Sequence, residues 1–178
     1  MRTLKVLPFA LLLALSACSS GGDDGQDPGN DDPGNDPGNG CTITLSGEVT
    51  GTFPCHATAG REDNGGPSVL GAIGVDLGGS VRTSSIAAEL PDAEPAVRDY
   101  APGDFETAGV ILMTTDNRAF FATTGSANDM GTLGTFKVTA LDAIGGVEGG
   151  KAWKLRGSFT ASLVDPVSKK TVTLTAKF

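Results

Sequence analysis

Trp153-Lys154-Leu155-Arg156-Gly157-Ser158-Phe159-Thr160-Ala161-Ser162-Leu163 keeps its apolar side chains and its glycine on odd numbers and its polar side chains on even ones. Successive side chains of a strand point to opposite faces, so a period of two marks a half-buried β-strand and not a helix. After Asp165-Pro166, a turn pair, the apolar set moves to the even positions Val172, Leu174, Ala176 and Phe178. These two stretches form a hairpin whose apolar faces must point the same way, because a one-residue slip would turn one of them to solvent.

The same period recurs towards the N-terminus. Ile43, Leu45 and Val49 alternate with Thr42, Thr44, Ser46 and Glu48; Val69, Ile73, Val75 and Leu77 share one parity; Phe136, Val138 and Ala140 alternate with Thr135, Lys137 and Thr139. Ile86, Ala88 and Leu90 repeat it weakly, and a short helix competes there. Gly109 to Thr115 and Ala119 to Thr124 flank Asp116-Asn117, two residues that tolerate left-handed backbone, which is a hairpin signal. No segment of 41–178 repeats apolar residues at three and four over ten residues. The expected fold is therefore all-β, an antiparallel β-sandwich of about eight strands, with a closed β-barrel as the alternative. The irregular stretches Ala57 to Ser68 and Pro91 to Asp104 read as crossing loops, which suit a sandwich better than tight up-and-down turns.

Ahead of this domain lie two segments of different character. Arg2 and Lys5 precede the apolar run Val6 to Leu15, too short for the roughly 20 residues of a permanent membrane helix. Small residues then lead to Leu15-Ser16-Ala17-Cys18. This tetrapeptide resembles the lipobox of bacterial lipoproteins. The resemblance implies a signal peptide over 1–17, cleavage after Ala17, diacylglycerol on the Cys18 sulfur and an acyl chain on the new amine. Ser19 at the next position fits outer-membrane sorting. Residues 19–40 carry six aspartates, no basic residue and three copies of Asp-Pro-Gly-Asn. Each copy is a turn signal with nothing to bury, so residues 18–40 read as the lipidated cysteine plus a disordered tether, with a mean span of about 25 Å. Its aspartates lack the alternate spacing and closing glutamate of a calcium loop.

If Cys18 takes lipid, Cys41 and Cys55 remain as an even pair in an oxidising compartment, either bridged or as two free thiols. A bridge would close a loop of about 15 residues. The domain 41–178 resembles the small β-rich domains of outer-membrane lipoproteins in its closing pattern, Gly157-Ser158-Phe159-Thr160-Ala161 followed by Val172-Thr173-Leu174-Thr175-Ala176. That resemblance carries no functional residues with it.

Charge and motifs narrow the chemistry. The net charge of −8, with no basic run, disfavours nucleic acid, whose phosphates need lysine and arginine. Gly145 to Ala152 resembles a phosphate-binding loop, yet Ala152 stands where the magnesium-binding hydroxyl belongs and a strand follows where a helix is required. His56 is the one histidine and lacks partners at zinc or haem spacing. No metal and no cofactor is expected. Glu89, Asp92, Glu94, Asp99, Asp104 and Glu106 gather in one loop region, where paired carboxylates could hydrolyse glycosidic bonds or simply sit in water. Tyr100 and Phe105 in the same region either plug one end of the sandwich, the favoured reading, or join Asp104 as ligand contacts. The expected function is a lipid-anchored, non-enzymatic binding or structural module of the cell envelope with a protein or glycan partner. The alternative is a carboxylate hydrolase acting on envelope or environmental glycans.

Overall fold

The computed structural model describes residues 40–62, 66–91, 93–124, 130–147 and 149–178. Residues 1–17, expected to form a signal peptide, Cys18 and nearly all of the 18–40 segment lie outside the described residues, as does Asp92. Eleven strands follow in order: β1 (Thr42–Gly47), β2 (Gly51–Pro54), β3 (His56–Glu62), β4 (Ser68–Gly78), β5 (Val81–Leu90), β6 (Asp99–Tyr100), β7 (Thr107–Thr114), β8 (Ala119–Thr123), β9 (Thr132–Val147), β10 (Gly150–Val164) and β11 (Thr171–Lys177). Among the described residues a 3-10 turn, Pro102–Asp104, interrupts them. The fold is the expected all-β antiparallel sandwich, with eleven strands where the pattern suggested about eight. The additional ones are short or built from small residues.

All pairings between named strands are antiparallel, along the path β2-β1-β11-β10-β3-β4-β5-β7-β8. Strand β10 organises the arrangement. Its first residues pair with β3 from Gly150↔Glu62 to Lys154↔Thr58, and its last with β11 from Ser158↔Lys177 to Val164↔Thr171. Strand β9 runs against it from Val147↔Gly150 to Val138↔Gly157, and β8 returns to it at Phe121↔Val164. One continuous sheet thus folds over on itself, and both layers share a single core.

The core follows the alternation. Leu155, Phe159, Ala161 and Leu163 of β10 are buried with Val172, Leu174 and Ala176 of β11, which they face through the register Phe159↔Ala176, Ala161↔Leu174 and Leu163↔Val172. Trp153 and Phe178 are only half-buried against this core. The Asp116-Asn117 turn joins β7 to β8 as expected, with Asn117 at φ 63°.

The 86–90 stretch is the strand its alternation suggested, part of β5, and not the competing short helix. Two expectations need correction. Ala57 to Ser68 is no crossing loop, since residues 57–62 belong to β3, whose Ala57, Thr58, Ala59 and Gly60 are too small to give a hydrophobic signal but all pair with β4, and Thr58 to Gly60 with β10 as well. In β4 the inward parity is even: Leu70 and Ala72 are fully buried, whereas Val69 and Ile73 are only partly so. Strand β4 is apolar at both parities, so its own pattern cannot set the phase. Its neighbour β5 can, because Ile86, Ala88 and Leu90 alternate with Ser85, Ala87 and Glu89, and they stand opposite Ala72, Leu70 and Ser68.

The core is held at one end by an aromatic chain. The ring of Phe136, fully buried on β9, lies 5.4 Å from Phe159, 5.3 Å from Phe178 and 6.3 Å from Phe105, which in turn is 5.7 Å from Tyr100. Close approach of backbone makes this possible at Gly157, where the β9–β10 register shifts. A Cβ there would run into the Lys137 carbonyl oxygen. Gly157→Ala should therefore cost about 1–3 kcal/mol, as overpacking usually does; chemical denaturation measures it, and wild-type stability would show that the strands are further apart than described.

Candidate functional site

The described residues between β5 and β7 lie outside the sheet except at β6, so the chain there needs other anchors for its polar backbone. Tyr100 supplies one. Its ring is 1% exposed, and its hydroxyl accepts from the Ala96 N–H at 2.7 Å and donates to the Ala96 carbonyl at 3.0 Å. The Arg98 guanidinium stacks 4.2 Å from the same ring. Asp104 Oδ2 accepts from the Ala101 N–H at 2.8 Å and closes the 3-10 turn. Phe105 is 7% exposed. Of the three sequence-derived contact candidates, Tyr100 and Phe105 are buried with the core and Asp104 closes a turn.

Against Phe105 lies an open depression of about 470 Å³. Pro102, Gly103, Glu106, Thr107 and Thr124 are among its other lining residues. Thr107 Oγ1 donates to Glu89 Oε2 at 2.8 Å, and Thr124 Oγ1 accepts from the Ala108 N–H at 3.2 Å. Only Phe105 and Glu106 of this lining stand out in the sequence. Threonines at strand ends look like any solvent-facing β residue.

Two further loop acids, Glu94 and Asp99, lie against different strands. Glu94 takes the Lys151 ammonium at 2.6 Å, which holds its carboxyl below the ordinary range, with the Lys151 hydrogen bond as the main cause. Asp99 stands across from Lys137 in the β6–β9 pair. Of the glycines in the phosphate-loop-like stretch, Gly145 and Gly146 lie in β9, Gly150 opens β10, and Gly149 stands between the two strands at φ 80°. His56 is exposed at the start of β3. Among the described residues no group of three or more histidine, cysteine or acidic side chains is placed to hold a metal, and no helix is long and apolar enough to cross a membrane.

Cys41 and Cys55 are bridged, with a Cα–Cα distance of 5.0 Å. Both are buried, and the Cys55 N–H donates to the Cys41 carbonyl at 3.1 Å, so the bond clamps the open end of the β1–β2 hairpin.

A second polar cluster joins three hairpin turns that are distant in sequence. Glu48 Oε1 accepts from Arg118 Nη1 and from Lys170 Nζ, each at 2.7 Å. Arg118 Nε also bonds Asp116 Oδ2 at 2.8 Å, and the Thr114 hydroxyl bonds the other Asp116 oxygen. Nearby Asp165 is buried and accepts from the Val167 N–H, the Ser168 N–H and the Ser168 hydroxyl. All three carboxyls are held below their usual range: Glu48 by Lys170 and Arg118, Asp116 chiefly by the Thr114 hydroxyl, Asp165 chiefly by the Ser168 hydroxyl. The folded state keeps them ionised at a pH where the unfolded chain has begun to take up protons. Their contribution is complete above the unfolded carboxylate range near pH ~4 and is lost as pH falls through the lowered native values. The melting temperature should be level from neutrality to about pH 5 and fall below about pH 4. Glu48→Gln should make that fall shallower. An equally steep fall in the variant would remove Glu48 from the acid response.

No family model, curated protein or solved structure matches the chain.

Proposed function

We propose that this chain is a lipid-anchored protein of the cell envelope, held at the outer membrane through Cys18, and that its β-sandwich is a non-enzymatic binding or structural module presented on a tether. The observation that carries the reading is Leu15-Ser16-Ala17-Cys18 placed directly after a charged head and a ten-residue apolar run, Val6 to Leu15. One acyl chain binds a membrane only marginally, whereas the two or three implied at Cys18 anchor stably. The Cys41–Cys55 bridge supports the compartment, because such bonds persist where the surroundings are oxidising. The aspartate-rich stretch supports the tether, since it offers no apolar side chain to pay for its ordering. Detergent phase separation of cell extracts tests the anchor. Wild type should enter the detergent phase with the outer-membrane fraction, and Cys18→Ala should stay in the aqueous phase. Equal partitioning of the two would overturn the reading.

A further inference from the structure

We infer that the depression beside the Pro102–Asp104 turn is a binding site for a single neutral sugar ring, a substrate class for the binding module proposed above and resting on that reading. A pyranose presents apolar C–H faces and a rim of hydroxyls, so its site needs an apolar wall set against oxygen donors and acceptors. The depression supplies both. Pro102 and Phe105 contribute the apolar wall, and Thr107, Thr124 and the exposed Glu106 contribute oxygen groups to the same lining. At about 470 Å³ it falls within the roughly 300–1,000 Å³ usual for small-ligand sites.

The wall is preorganised, which lowers the entropy lost on binding. Phe105 stacks 5.7 Å from Tyr100 and 6.3 Å from Phe136, Tyr100 is tied twice to Ala96, and Asp104 closes the turn on Ala101. Thr107 is likewise fixed through Glu89. The lining carries one negative charge and no lysine or arginine, so phosphate and carboxylate ligands are disfavoured. A shallow, open site of this kind binds one ring with a dissociation constant on the order of millimolar.

Gly103 gives a clean block. A Cβ built there meets no atom within 4 Å, so a larger side chain would project into open space without straining the fold. The intact chain, labelled with ¹⁵N, is titrated separately with glucose, N-acetylglucosamine, glucosamine and inorganic phosphate while the amide shifts of Glu106, Thr107 and Thr124 are followed. At least one neutral sugar should shift them saturably, and phosphate should not. Gly103→Leu should weaken that response by about tenfold or more with an unchanged melting temperature. Glu106→Ala, at an exposed position of the lining, should weaken it by a smaller factor and provides a second variant independent of the turn. Saturation by glucosamine or phosphate alone, no saturable shift with either neutral sugar, or an undiminished response in both variants would overturn the inference. The anchor is read separately: a lipidated Cys18 with no sugar response removes this site and leaves the envelope reading standing, and a sugar response with an unmodified Cys18 does the reverse.

Discussion

Phe136→Ala should cost the domain about 3–5 kcal/mol, the usual range for emptying a buried aromatic site. The ring is fully buried and touches three other aromatics: Phe105 from the β5–β7 connection, Phe159 from the middle of β10 and Phe178 at the C-terminal end of the chain. Removing it opens a cavity among elements already held in place by strand pairing, so little collapse can offset the loss. Aromatic pairs of this geometry add roughly 0.5–1.5 kcal/mol beyond area burial, which pushes the cost to the upper part of the range. Against a typical domain stability of about 5–15 kcal/mol, such a loss brings the protein near its unfolding threshold at ambient temperature. Val167→Ala is the matched control, because Val167 is 90% exposed at the tip of the β10–β11 turn and should leave stability unchanged. Urea denaturation followed by Trp153 fluorescence reports both. If Phe136→Ala unfolds with wild type, the aromatic chain is not part of the cooperative core.

The second large effect comes from the disulfide. Replacing both Cys41 and Cys55 by serine should cost about 3 kcal/mol, the chain-entropy value for a loop of about 15 residues, and lower the melting temperature by roughly 10 °C. The bond joins the start of β1 to the residue after β2, and β2 pairs only with β1 along the sheet path. Without the clamp, β2 depends on the hairpin register Thr42↔Pro54 to Leu45↔Gly51 and on the packing of half-buried Phe53. Both cysteines are buried, so a reductant should act only on molecules that open, and thiol labelling under native conditions should be slow. A double-serine variant that melts with wild type would show that β1 and β2 are held by packing alone.

Much of the fold is legible because strong alternation and strong turns coincide. The β10–β11 hairpin is readable since each strand has one clearly apolar and one clearly polar face, and Asp165-Pro166 separates them. The β7–β8 hairpin is readable from Asp116-Asn117, and Asn117 does take the left-handed conformation. The sequence fails where side chains carry no contrast. Strand β3 is Ala, Thr and Gly over most of its length, and β4 is apolar on both faces, so the phase of β4 is set by β5 and not by its own residues. Tertiary juxtaposition is harder still. Glu48, Arg118 and Lys170 look like ordinary turn charges until the fold brings three hairpins together, and nothing in the spacing of Pro102, Thr107 and Thr124 announces a shared depression. Tyr100 and Phe105 could have been surface aromatics. The Ala96 backbone groups that satisfy the Tyr100 hydroxyl are what allow the ring to be buried.

Intact mass analysis of the protein purified from membranes, with sequencing of its N-terminal peptide, tests the envelope reading most directly. The account predicts a chain that begins at Cys18, lacks residues 1–17, and carries a diacylglycerol thioether on that cysteine, with a further acyl chain on its amine. A mature chain whose Cys18 bears a free, unmodified thiol, or one that retains residues 1–17 in the soluble fraction, would contradict it.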